Sequence, residues 1–144
     1  MNTDLQNKLY EKYPDFFKNK DLGIQKSCMA RGIECDDGWF DLIEAVCSTI
    51  QNFIKHNTSV TFEFDQIKEK FGGLRIYYSS SNNSDSTRYN KDYIHGVIQL
   101  AENISFRICE QTGNKGGICK KGNWLKTLSP AKMSQLNYVP FKGE

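Results

Sequence analysis

A change of hydrophobic period near residue 57 limits the fold more than any other feature of this chain. From Gly38 to Lys55 the residues Trp39, Leu42, Ile43, Val46, Cys47, Ile50, Phe53 and Ile54 recur at three- and four-residue spacing. That spacing predicts a helix over 38–55 with one apolar stripe. Asp36 or Asp37 is placed to cap its first turn. From Val60 the repeat drops to two: Val60, Phe62 and Phe64 alternate with Thr61, Glu63 and Asp65, and Leu74, Ile76 and Tyr78 alternate with Arg75 and Tyr77. These read as two half-buried strands joined at Gly72-Gly73, with Ile67 and Phe71 folding inward between them.

A second amphipathic helix is predicted over 91–110, with Tyr93, Ile94, Val97, Ile98, Ala101, Ile104, Ser105 and Ile108 inward. The expected fold is therefore α+β: a small antiparallel meander packed with two amphipathic helices, plus an accessory C-terminal β/helix segment. Residues 2–18 read as a short helix broken at Pro14 and followed by an aromatic turn. Residues 19–37 read as a surface loop, and 79–87, rich in Ser and Asn, as a polar one. Gly113, Gly116 and Gly117 open a turn before strands at Ile118 and Trp124–Leu128, and Pro130 starts a last helix. With no repeat and no linker, 1–144 reads as one domain comprising an N-terminal segment 1–18, a core 38–110 and a C-terminal segment 111–144.

Nineteen basic and seventeen acidic residues leave a net charge of +2, which supplies no global attraction to nucleic acid or membrane. No run is long enough to span a membrane, and the N-terminus has no apolar leader core. Five cysteines, an odd number, are expected to be reduced thiols in a cytoplasmic protein.

Local clustering carries the functional expectations. Lys68, Lys70 and Arg75 flank the glycine turn and Tyr77 follows, a grouping suited to a phosphate or an acidic surface. The alternative is a solvated strand face on which Arg75 pairs with Glu69 or Glu63. Lys115, Lys120, Lys121 and Lys126 lie in the acid-free segment 114–129, where Leu125 and Leu128 make Trp124 read as core. Asp65 with Gln66-x-Lys68 has the residue types of a metal-dependent nuclease, in which carboxylates hold Mg²⁺. His56 and His95 are coupled to no cysteine by spacing, so no nucleophile–base pair is expected.

Three blocks occur in order: Asp37-Gly-Trp-Phe-Asp-Leu-Ile43, Gln66-Ile-Lys-Glu-Lys-Phe-Gly-Gly-Leu-Arg-Ile-Tyr-Tyr78, and Cys109-Glu-x-Thr-Gly113 followed by Trp124-Leu-Lys-Thr-Leu128. Together they resemble a family of small proteins from phages, prophages and their bacterial hosts, over residues 30–140. Many members of that family carry a zinc-ribbon-like element at the third block. Here Thr112 and Ser129 stand where cysteines would, and Cys109 with Cys119 supply two of the four ligands zinc requires, so a metal-free turn is expected.

The resemblance implies a non-enzymatic accessory protein of phage type, acting against host defence by binding a host defence protein or sequestering a nucleotide-like ligand, as a monomer or a homo-oligomer. No cofactor, metal or membrane is expected. The residues singled out for the partner are Lys68, Lys70, Arg75 and Tyr77, then Trp39, Arg107, Glu110, Lys121 and Lys126. A nucleic-acid-binding protein with a degenerate zinc ribbon and a metal-dependent nuclease are the alternatives.

Overall fold

The computed structural model describes residues 1–83 and 87–143, and the side chains of 87–89 are not described. The Ser84–Ser86 part of the expected polar loop lies outside them. The elements are α1 (Thr3–Lys12), α2 (Phe40–His56), β1 (Val60–Lys70), β2 (Gly73–Asn82), α3 (Thr87–Ser105), β3 (Gly117–Lys121), β4 (Trp124–Leu128), α4 (Pro130–Leu136) and β5 (Val139–Pro140). The fold is α+β. β1 and β2 form one long antiparallel hairpin instead of a short meander, and a separate antiparallel sheet has the order β4-β3-β5. Ser79 to Asn82, expected in a loop, continue β2.

The main core lies where α2 and α3 cover the hairpin, and its buried residues include Ile43, Val46, Cys47, Ile50, Phe64, Ile67, Leu74, Ile94 and Ile98. The 3-10 turn at Pro14–Asp21 adds Phe16 and Phe17, whose rings meet Phe62 and Phe64 at centroid distances of 5.1 and 4.9 Å. Residues 19–37 are more than a surface loop. Met29, Ile33 and Cys35 are buried, and Glu34 pairs with β1: the Glu34 amide donates to the Ile67 carbonyl and the Glu69 amide to the Glu34 carbonyl, each at 2.9 Å. That pairing covers an edge of the hairpin that would otherwise be left open.

Helix ends depart from the periodicity. Neither Asp36 nor Asp37 caps α2, whose entry is a 3-10 turn at Asp37–Trp39. The Asp37 carboxylate instead accepts the Asn2 amide and side-chain amide, each at 2.7 Å. α3 stops at Ser105, not 110, and the chain leaves the helix to bridge Ile108 with Lys115. A second, smaller core of Cys109, Cys119 and Leu128 forms beneath Met133, Leu136 and Tyr138.

The two parts are sewn together through backbone. The Gly38 amide donates to the Glu110 carbonyl at 2.7 Å, the Trp39 indole to the Ile108 carbonyl at 2.9 Å, and the Thr127 hydroxyl to the Gly72 carbonyl at 2.6 Å. A Cβ at position 38 would overlap the carbonyl oxygens of Cys109 and Glu110, so only glycine fits this crossing. Among the described residues no helix is long and apolar enough to cross a membrane.

Candidate functional site

The hairpin has one irregularity, and it decides which side chains face out. Phe64 pairs with Tyr78 and Gln66 with Tyr77, which leaves Asp65 as an extra residue on β1. Before this bulge Val60, Phe62 and Phe64 point into the core; beyond it the buried position is Ile67. A bulge shifts side-chain direction by one residue. As a result Lys68 lies opposite Arg75, Lys70 opposite Gly73 and Gln66 opposite Tyr77, on the face away from the core residues Ile67, Leu74 and Ile76.

Four of the predicted residues therefore share a surface. Lys68 Nζ lies 5.7 Å from the centre of the Tyr77 ring, which is 45% exposed. The Arg75 guanidinium lies 5.9 Å from the Phe106 ring, donates to its neighbour's carbonyl at Leu74, and reaches the Glu102 carboxylate at 3.8 Å. Its acidic partner is thus on α3, not Glu69 or Glu63 as the strand pairing suggested. Glu69 instead closes the hairpin, its carboxylate accepting the Gly72 amide at 2.6 Å.

The tip differs from the expected Gly72-Gly73 turn. Lys70 pairs with Gly73, so the two turn residues are Phe71 and Gly72, with φ of 55° and 82°. Positive φ at both central positions matches the type I′ turn, which suits the hairpin's twist and normally selects Asn, Asp or Gly. Phe71 was expected to fold inward. It is 68% exposed, with Lys70 Nζ 5.3 Å from its ring centre. Sequence reasoning missed Phe71 and Phe106, and the signal for the first was its place directly before Gly72.

The other predicted residues lie elsewhere. Trp39 is fully buried. Glu110, 2% exposed, accepts from the Asp36 amide at 3.1 Å and from Lys126 Nζ at 2.9 Å, and Lys126 also reaches Asp36 at 3.6 Å. Burial holds the Glu110 carboxyl above the ordinary glutamate value against the pull of Lys126. Burial works to lower the Lys126 ammonium, but its bond to Glu110 keeps it above the ordinary lysine value. This trio belongs to the seam between the two cores. Arg107 is exposed. Lys121 donates to the Leu136 carbonyl at 3.0 Å and lies 5.9 Å from the Tyr138 ring centre. Trp124, read as core, is 77% exposed where β3 turns into β4.

The nuclease grouping is spread over separate bonds. Asp65 accepts from Ser79 at 2.8 Å, while the Gln66 amide donates to Glu34 at 3.2 Å. Among the described residues no three His, Cys, Asp or Glu side chains converge as a metal cage. All five cysteines are free. Burial raises the Cys109 thiol, but the Thr112 hydroxyl and the amides of Ser129, Thr112 and Gln111 hold it below the ordinary cysteine value. Donors thus occupy the place where the resemblance put zinc ligands. No protein-family profile matches the chain, and no curated protein or solved structure is detectably similar to it.

Proposed function

We propose that this chain is a non-catalytic binding protein whose working surface is the outward face and tip of the β1–β2 hairpin, and whose partner is anionic. The observation that carries this reading is Phe71. A phenylalanine at φ 55° is strained where Asn or Gly would not be, and at 68% exposure it recovers little by burial. Backbone strain of about 1–2 kcal/mol combined with an exposed ring is a poor choice for a hairpin alone. It suits a ring that is covered when a partner binds. Lys68, Lys70 and Arg75 set the sign of that partner.

In a phage-type accessory protein, which the three sequence blocks imply, the partner is a host defence component or its nucleotide-like signal, met in the host cytoplasm. Binding occupies that component, and no catalysis by this chain is needed. The test is affinity purification from host cells with the native chain and with Phe71→Asn, followed by mass spectrometry of proteins, nucleic acids and small molecules. One dominant anionic partner is expected with the native chain and is expected to be lost with the variant, whose fold is checked by thermal unfolding. Equal recovery by both chains overturns the reading.

A further inference from the structure

Resting on that reading, we infer that the anionic partner is a single-stranded nucleic acid that lies along the hairpin face. Three cation–ring pairs follow one another there: Lys70 with Phe71, Arg75 with Phe106, and Lys68 with Tyr77, at 5.3, 5.9 and 5.7 Å. A nucleotide combines a flat base and a phosphate within one short unit. The exposed Phe71 and Tyr77 rings each offer a π surface with a cation beside it, while the Phe106 ring is half-buried against Gly73. An acidic peptide matches the cations but leaves the exposed Phe71 and Tyr77 rings without planar partners.

Spacing points the same way. Gly73, Arg75 and Tyr77 are alternate residues of β2. Alternate strand residues are about 6.8 Å apart. That is about twice the 3.4 Å per nucleotide of a stacked duplex strand, and it suits an extended, unstacked one. The hairpin is also held still. Its tip is bonded to β4 through Thr127 and Gly72, Leu74 and Ile76 are bonded to Ser105 and Glu102 of α3, and Glu34 pairs on the β1 side. Such a platform reads stacking and charge, so it tolerates many base sequences.

The experiment is fluorescence anisotropy with labelled oligothymidylate and oligouridylate of about 16 nucleotides, across a salt series. Binding is expected, with log affinity falling against log salt at a slope of about −2 for three neutralised phosphates. Lys68→Ala and Lys70→Ala should each reduce the slope by about 0.7. Phe71→Asn and Tyr77→Thr should weaken binding by roughly ten-fold or more and leave the slope unchanged. No anisotropy change at low salt, or equal affinity in the two ring variants, overturns the inference. If polyglutamate binds in place of the strands, and Phe71→Asn abolishes that, the partner class is wrong and the surface stands. If no polyanion distinguishes native chain from Phe71→Asn, both readings fall.

Discussion

Phe71 holds its ring at the cost of its backbone, and that trade can be measured without knowing any partner. Replacement by Asn keeps the turn and relieves the left-handed strain. Phe71→Asn should raise stability by about 1 kcal/mol, read as a higher urea midpoint with an unchanged slope. Loss of stability would mean that the ring packs more usefully than its exposure indicates. Ser105 shows the opposite case, a small residue with a large task. Its buried hydroxyl accepts the Leu74 amide at 2.9 Å and donates to the Glu102 carbonyl at 2.6 Å. Ser105→Ala leaves the Leu74 amide buried and unpaired, so a loss of about 1–3 kcal/mol is expected in the same assay. Neither role was visible from periodicity, which placed Phe71 and Ser105 alike as inward-facing residues.

Among the elements, those with a clean period were legible and their ends were not. α2 and the alternation along β1 and β2 follow directly from apolar spacing, because burial of one face decides both. The end of α3 did not follow, since Ile108 continues the helical spacing while the chain turns away to bridge Lys115. Trp124 failed for a related reason. Leu125 and Leu128 suggested a core strand, but Trp124 is the first residue after the two-residue turn at Gly122-Asn123, where the strand has nothing above it. The candidate site divided along the same line: Lys68, Lys70, Arg75 and Tyr77, grouped from charge at a turn, share one face, whereas Glu110 and Lys126 belong to the seam. Gly38 marks how tight that seam is. Gly38→Ala should cost about 1–3 kcal/mol, because the added methyl meets backbone carbonyls that cannot swing aside.

At the scale of the whole molecule, the carboxyls that brace the fold have pKa values displaced in opposite directions. The Asn2 amide holds Asp37 below the ordinary aspartate value, and Lys12 with Tyr13 does the same for Glu44. Carboxyls with lowered values stabilise the fold above their unfolded pKa, and that support is lost as pH falls through the folded value. Glu110 is raised by burial, so its contribution is full below the unfolded value and declines as pH rises through the raised one. Urea midpoints should therefore fall steeply at strongly acidic pH and decline gently from mildly acidic pH upward. Asp37→Asn should shrink the first limb and Glu110→Gln the second; curves identical to the native one would exclude these groups as the source. The bulge at Asp65 has a wider consequence. It acts as a parity switch: every residue of β1 after it points opposite to where an uninterrupted strand would send it. Drawing Asp65 into the ladder as a paired residue would leave the composition and charge of the lysine cluster unchanged, yet would turn Lys68 and Lys70 toward the core and Ile67 toward water, whereas deleting it would straighten the strand and keep the native directions. The surface is thus encoded as much by strand register as by residue identity, and a shift of one in the pairing separates a binding face from a misfolded sheet.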